Sequence, residues 1–160
     1  MAEDVVFPEA FRKSKGFTER AMAAVLNGQV EALRLRQQVI GPEHILLALL
    51  QPRESVLALD LLARLEVTPE TIREAVLARA ERGSGTLDLE LMKQGKLTPA
   101  GEQALEIARD EAHQFGCPHV STPYLLLGLL LQESLASEVL RELGVHPELV
   151  RSIIAENPLA

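Results

Sequence analysis

The sequence of 160 residues contains no tryptophan, one tyrosine and a single cysteine, Cys117, and its aromatic residues make up only 3% of the chain. One cysteine cannot form an internal disulfide, so a small disulfide-stabilised fold is excluded. The shortage of aromatic residues means that the core is aliphatic, built from Leu, Val, Ile and Ala. Such a core favours helices over a sheet rich in aromatic and β-branched residues.

Positive charge is scarce as well. The formal net charge is −7, and lysine occurs only at positions 13, 15, 93 and 96. This balance argues against a nucleic-acid-binding surface and against binding to an anionic membrane. The longest apolar run, residues 124–131, is too short to cross a bilayer, and residues 1–15 lack the apolar segment of a signal peptide. The sequence therefore predicts a cytoplasmic protein that binds neither nucleic acid nor membrane.

Motifs for chemistry are also missing. No G-x-x-x-x-G-K-[ST] phosphate loop occurs, which excludes ATP hydrolysis of that type. His113, Cys117 and His119 are a weak metal candidate, because structural zinc needs four ligands. Asp110 and Glu111 next to His113 could suggest acid–base catalysis, but we expect them on a solvated helix face. The sequence thus predicts no catalytic residues, no metal and no cofactor.

What the sequence does contain is an internal duplication. Residues 18–50 align with residues 98–130, so that Thr18 meets Thr98 and a run of leucines meets another. After a gap of two residues, Leu62 and Val67 meet Leu140 and Val145. The alternative is that two leucine-rich helical stretches align by composition alone. The long common register favours a true duplication.

Each half is predicted to contain four helices. Polar caps and prolines mark their starts; the candidates are Thr18, Gly41–Pro42, Ser55 and Thr68–Pro69, then Thr98–Pro99, Thr122–Pro123, Ser134 and His146–Pro147. The first helices carry apolar stripes at helical spacing, Val25, Gly28, Ala32 and Leu35 in one half and Leu105, Ala108, Ala112 and Phe115 in the other. We expect Gly28 to allow close packing. The second helices are apolar nearly all round and should form the buried centre of each half.

The predicted fold is therefore all-α, with eight helices arranged as two pseudo-symmetric four-helix repeats in one compact domain. Residues 1–16 form an N-terminal extension, 17–82 the first repeat, 83–96 a linker and 97–156 the second repeat. Three leucines alternate within the linker, at positions 87, 89 and 91, which predicts an extended segment lying along the body.

Residues 17–21 and 40–50, with the related blocks 97–100 and 120–130, resemble the signature of the N-terminal domain of Clp-type unfoldases. In that family two pseudo-symmetric four-helix repeats precede AAA+ rings and recruit adaptors or unfolded substrates. The resemblance implies a module that binds proteins and is not an enzyme. We expect a stand-alone homologue, because residues 1–16 extend further ahead of the signature than in ring-bearing members. A fragment of a longer unfoldase is the alternative.

The resemblance also implies where partners bind, namely at the starts of the first and second helices of each half. The corresponding residues are Thr18, Glu19, Ile40, Gly41, Pro42 and Glu43, with Thr98, Val120, Ser121 and Thr122 in the other half. Some family members hold phosphorylated arginine there, with an acidic residue on the guanidinium and the helix start on the phosphate. Of these features Glu43 is retained. Pro42, however, removes an N–H group and a hydroxyl.

In the second half Pro123 and Tyr124 replace the acidic residue and the histidine. The first half is thus predicted to carry charge-dependent recognition and the second mainly apolar contact. For Glu43 the alternative is a carboxylate that only favours the helix dipole, and His44 is interpreted as a packed or capping residue.

Three hypotheses about function follow. The first is a module that docks adaptors or substrates of a Clp system. The second is a decoy or sink for a small molecule or a modified, phosphoarginine-type peptide, and the third is a helical enzyme. The first agrees best with the resemblance.

Overall fold

The described residues of the computed structural model, 7–51 and 56–157, form ten α-helices and two isolated β-bridges. The helices are α1 (Glu9–Lys13), α2 (Glu19–Arg34), α3 (Pro42–Leu49), α4 (Val56–Arg64), α5 (Pro69–Arg79), α6 (Leu89–Lys93), α7 (Pro99–Gln114), α8 (Thr122–Leu131), α9 (Leu135–Glu142) and α10 (Pro147–Glu156). The all-α prediction is confirmed, and the eight predicted helices are α2–α5 and α7–α10. The candidate cap Ser55 lies outside the described residues.

Most helices begin at a threonine cap or with a proline in the first turn. Three threonines cap the helices that follow them: the side chains of Thr18, Thr68 and Thr98 each accept a hydrogen bond from the main-chain N–H three residues later. Proline stands in the first turn of α3, α5, α7, α8 and α10, where a missing N–H costs nothing. The starts of these six helices, α2, α3, α5, α7, α8 and α10, agree with the starts predicted from the sequence.

The core lies around α3 and α8, whose residues are almost all buried, as predicted for the second helix of each half. Helix α2 packs along α3, and α7 packs along α8. The third helices cross over: α9 packs against α3 and α5, while α4 packs against α8. This crossing joins the two halves into one hydrophobic cluster, and sequence periodicity gives no signal for it.

In both halves a glycine permits a close approach beside the second helix. The glycine lies on the first helix in one half and on the second helix in the other. A Cβ atom added to Gly28 on α2 would lie 2.9 Å from Ile40 Cγ2. In the second half the glycine is Gly128 on α8, where an added Cβ would lie 2.9 Å from Ala108 Cβ. The prediction that Gly28 allows close packing is confirmed.

The segments predicted as an extension and an extended linker each contain a short helix. Helix α6 interrupts the linker, begins at the cap Asp88, and leaves Leu89 66% exposed, so the alternating leucines do not mark extended chain. The Asp88 cap overrides a weak alternation of three residues. Helices α1 and α6 lie 80 positions apart, as Thr18 and Thr98 do. The duplicated unit in the structure therefore has five helices, and the boundaries at residues 16 and 96 stay predictions.

A buried glutamate occurs at the same place in each half. Glu31 on α2 and Glu111 on α7 are 4% and 5% exposed. The expectation that Glu111 lies on a solvated face is therefore wrong, because the carboxylate accepts a 2.5 Å hydrogen bond from Arg151 of α10. In the first half Arg73 of α5 lies 3.6 Å from Glu31. The pairs join α2 to α5 in the first half and α7 to α10 in the second.

Replacing Arg151 with alanine is expected to lower the free energy of unfolding by about 1–2 kcal/mol, because the buried Glu111 carboxylate loses the hydrogen bond and the cation that compensate its burial. The expected loss is smaller than for a fully buried pair because the Arg151 side chain is 41% exposed and partly screened. Urea denaturation at pH 7.5 measures it. Arg64→Ala, which removes an exposed pair with Glu156, is the matched control and should cost clearly less than Arg151→Ala. Equal losses in the two variants would contradict this role for Glu111.

Candidate functional site

The two β-bridges place the start of a helix from one half beside the start of a helix from the other. Phe17 pairs with Val120 and Ile40 pairs with Leu97, both in parallel orientation. The Ile40 N–H donates to Lys96 O at 2.7 Å. Because the two bridges are equivalent under the duplication, they form a crossed pair around the pseudo-twofold axis.

The same crossing brings the predicted site residues together across the two halves. Thr98 donates its N–H to Ile40 O at 2.8 Å, and Thr18 donates its N–H to Val120 O at 2.9 Å. Thr98 therefore belongs with the start of α3, and Thr18 with the start of α8. Grouping the residues by half is wrong, because each helix start is completed by a threonine from the opposite repeat.

The start of α3 opens into a cleft of about 470 Å³, which we call the first cleft. Its lining residues come from both halves and are Gln37, Val39, Glu43, His44, Arg79, Glu81, Thr98 and Leu135. Only Glu43 and Thr98 among these were candidates from the sequence. Arg79 ends α5, Glu81 follows that helix, and Leu135 begins the crossing helix α9, so their positions depend on packing that no local pattern encodes.

Glu43 lies in the first turn of α3 with its side chain 23% exposed. Its carboxylate folds back over Gly41, where an added Cβ would overlap it, and accepts a hydrogen bond from its own main-chain N–H. Burial, and to a smaller extent the nearby charge of Glu81, raise the pKa of Glu43. The carboxylate thus accepts a main-chain N–H at the start of α3 and also lines the cleft.

His44 is a capping residue, as interpreted from the sequence. Its Nδ1 accepts a 2.9 Å hydrogen bond from the Gly41 N–H, and the His44 N–H donates in return to Gly41 O at 3.1 Å. Burial lowers the pKa of His44 to about 4, so the ring is neutral at pH 7. The Glu43 carboxylate lies 3.5 Å from the same nitrogen. With a neutral ring this proximity is not a salt bridge.

The charge of the first cleft is negative. Arg79 is its cation, but its guanidinium pairs with Glu138 and Glu142 of α9 at 2.7 and 2.9 Å. Glu43 and Glu81 contribute further carboxylates. The cleft walls include the aliphatic side chains of Val39 and Leu135. This arrangement suits a group that carries positive charge on an apolar stem.

The start of α8 has a different character. Ser121 and Thr122 are buried, and no hydrogen-bond partner is found for the Ser121 hydroxyl among the described residues. Pro123, at the position of Glu43, and Tyr124 line a pocket of about 140 Å³ between α4, α8 and α10. Its other apolar walls are Leu57, Leu61, Ile153 and Ile154. Asp60, Arg64 and Glu156 line the pocket as well, so both helix starts have charged side chains nearby. The predicted difference between a charged first start and an apolar second start stays a prediction.

Burial divides the ten candidate residues into two sets. Ile40, Gly41, Pro42, Val120, Ser121 and Thr122 are buried and therefore shape the two helix starts rather than face solvent. The remaining four, Thr18, Glu19, Glu43 and Thr98, reach the surface. Their role in partner binding stays a prediction.

The residues of the weak metal candidate, His113, Cys117 and His119, differ in their surroundings. His113 and His119 are exposed, and the Cys117 Sγ lies 2.9 Å from the Tyr124 hydroxyl. Burial and this thiol contact raise the pKa of Tyr124. Across residues 7–51 and 56–157, no group of three His, Cys, Asp or Glu side chains is arranged to hold a metal ion. Within the same ranges, no helix combines the length and apolar character that a bilayer crossing requires.

A family model described as the Clp repeat (R) N-terminal domain matches the chain twice, over residues 16–95 and 96–158. The chain is 38% identical over 130 residues to the negative regulator of genetic competence ClpC/MecB of Bacillus subtilis (strain 168). It is 34% identical over 137 residues to the chloroplastic chaperone protein ClpC of Pisum sativum. These alignments cover 81% and 85% of this chain but only 15% and 14% of the relatives.

Solved structures show the same fold. The N-terminal domain of the caseinolytic protease associated chaperone ClpD from Arabidopsis thaliana matches with a TM-score of 0.62 at 21% identity, covering 94% of this chain and 95% of that one. The Hsp104 N-terminal domain from Candida albicans matches with a TM-score of 0.61 at 18% identity, covering 86% and 88%. At these identities the likeness is one of fold.

Proposed function

The chain belongs to the Clp repeat (R) N-terminal domain family, and from that premise we propose that it is a docking module for adaptors or substrates of a Clp chaperone system. The relatives in which the family region occurs are named as chaperones and as a regulator of competence. The module binds proteins and carries out no chemistry of its own.

The observation that carries this proposal is the first cleft. It is lined by residues of both repeats, has aliphatic walls, and ends in the half-buried Glu43 carboxylate with Glu81 nearby. A basic side chain of a partner, inserted along Val39 and Leu135, would meet a carboxylate in a partly desolvated position, where such a contact is stronger than in water. The aliphatic side chains beside the start of α8 offer a second, mainly apolar contact.

Photo-crosslinking from within the cleft tests the proposal. A photoreactive residue is placed at Gln37, which lines the cleft, and, as a control, at Glu70, which is exposed in the first turn of α5. Purified chain is incubated with native cytosol, and the adducts are identified by mass spectrometry. We expect chaperone-system components or unfolded clients to be crosslinked from Gln37 and not from Glu70. Adducts that form equally from both positions would indicate a different surface.

Replacing Glu43 with alanine is expected to weaken binding of the crosslinked partner about tenfold. Loss of a hydrogen bond to a charged group costs about 1.5–3 kcal/mol, and the lower end applies because the Glu43 carboxylate also serves its own main chain. Titration calorimetry at pH 7.5 measures the affinity.

The matched control is Glu106→Ala, which removes the same charge from an exposed position on α7. It should leave the affinity within about twofold of the original value. Thr122→Ala should also change it little, since Thr122 is buried. Equal affinities for the original chain and Glu43→Ala would show that the partner uses another surface.

A further inference from the structure

Helix α1 precedes the segment that matches the family model, which begins at residue 16. A five-residue helix has no stability of its own in water, because nucleation costs more than so few hydrogen bonds return. Its first N–H groups also lack a side-chain cap, since Pro8 stands at the cap position. The helix must therefore be held by contacts with the rest of the chain.

One end of α1 is fixed to the segment that enters the first cleft. The N–H groups of Glu9 and Ala10 donate to Gln94 O and Gly95 O at 2.8 and 2.9 Å. In return, the Glu9 carboxylate accepts the Leu97 N–H at 3.2 Å. Leu97 is the residue that pairs with Ile40 and directly precedes Thr98.

The other end of α1 is fixed to the segment that enters the start of α8. Arg109 of α7 donates to Lys13 O and, at 2.9 Å, to Lys15 O, and its guanidinium lies 5.0 Å from the centre of the Phe17 ring. Gly16, at φ +85°, presents its carbonyl to the Val120 N–H at 3.1 Å. Phe17 is the residue that pairs with Val120.

Between these two ends, one face of the helix packs against the rest of the domain. Ala10 and Ser14 are buried, and the Ser14 hydroxyl donates to Ala10 O at 2.7 Å. Residues 8–16 thus form one continuous clasp. One end directly precedes the bridge residue Phe17, and the other end contacts the bridge residue Leu97 through Glu9. Helix α6 is the counterpart of α1 in the duplication, but Asp88 caps its start. Among the described residues, its first N–H groups make no main-chain hydrogen bonds to residues 14 and 15 that would mirror those of α1.

We propose that the clasp, residues 8–16, couples the two helix starts, so that loosening either end of α1 opens both bridges together. The proposal rests on the proposed function only for its consequence: a partner that displaces the clasp would alter both docking positions at once. The coupling itself is a property of the free chain and is tested without a partner.

Hydrogen exchange measured by NMR on the full chain tests the coupling. The amides of Ile40 and Thr98 report the first bridge, and those of Thr18 and Val120 report the second, since each donates across its bridge. Glu9→Ala loosens the clasp at the first bridge, and Arg109→Ala loosens it at the second. We expect each variant to accelerate exchange about tenfold at all four amides, including the two at the far bridge.

Lys13→Ala is the control, because it removes the ion pair with Glu102 while keeping the main-chain contacts of the clasp, and it should leave the four amides unchanged. The amide of Leu140 in the core monitors global unfolding; if Arg109→Ala accelerates it too, the milder Arg109→Lys replaces that variant at the second bridge. Acceleration confined to the bridge next to the substitution would overturn the coupling. That result would leave the docking proposal standing, because crosslinking from Gln37 does not depend on the clasp.

Discussion

Gly128→Ala is expected to lower the free energy of unfolding by about 3 kcal/mol or more. The added Cβ would lie 2.9 Å from Ala108 Cβ, 3.0 Å from Ala108 N, and closer still to the Ala104 carbonyl oxygen. These neighbours belong mostly to the backbone of α7, which cannot move without separating two fully packed helices. Overpacking of this kind typically costs about 1–3 kcal/mol, and contact with a rigid backbone places the variant at the upper end.

Urea denaturation followed by circular dichroism measures the loss, and Gly41→Ala is the matched control. Gly41, at the cap position of α3, is buried as Gly128 is. An added Cβ at Gly41, however, meets the Glu43 carboxylate, which is the far end of a flexible side chain. We expect the control to lose less than about 1 kcal/mol, since the carboxylate can rotate away. Similar losses in the two variants would mean that the α7–α8 contact is looser than the structure indicates.

Much of the fold could be predicted because its signals are local. Threonine caps, prolines in first turns and apolar stripes fix where helices such as α2 and α7 begin and which face they bury. The duplication then relates the two halves. Helix α1 was missed because its five residues carry no side-chain cap and are held by partners such as Gln94, Gly95 and Arg109, which lie far away in sequence.

The candidate site could be predicted only in part. Glu43 and Thr98 were found through their positions at helix starts, but their pairing across the halves depends on the crossed bridges of Ile40 and Val120. The burial of Glu111 was missed for a related reason. A glutamate on a helix is normally solvated, and here an arginine 40 positions later in the chain makes its burial possible.

Acidification should destabilise the domain through His44. In the folded chain, burial lowers the pKa of His44 to about 4, against an ordinary value of about 6.5 for an unfolded histidine. Between these values the unfolded state binds a proton that the folded state excludes. Stability is therefore complete above about pH 6.5, falls as the pH drops towards 4, and levels off below. The full change is about 3 kcal/mol, since one unit of pKa corresponds to about 1.4 kcal/mol.

The cause of this dependence is the cap of α3. Nδ1 of His44 can accept the Gly41 N–H only while it is unprotonated, so a proton on that nitrogen breaks the cap as well as placing a charge in the core. Glu43 acts in the opposite direction, because its raised pKa means that the folded state takes up a proton more readily and gains stability as the pH falls. Comparing the original chain with His44→Gln separates the two effects, since glutamine offers an acceptor that does not titrate. In urea denaturation from pH 7.5 to 4, the variant should lack the loss assigned to His44, whereas His113→Gln, on the exposed face of α7, should retain it. A His44→Gln curve parallel to that of the original chain would show that another group governs the acid response.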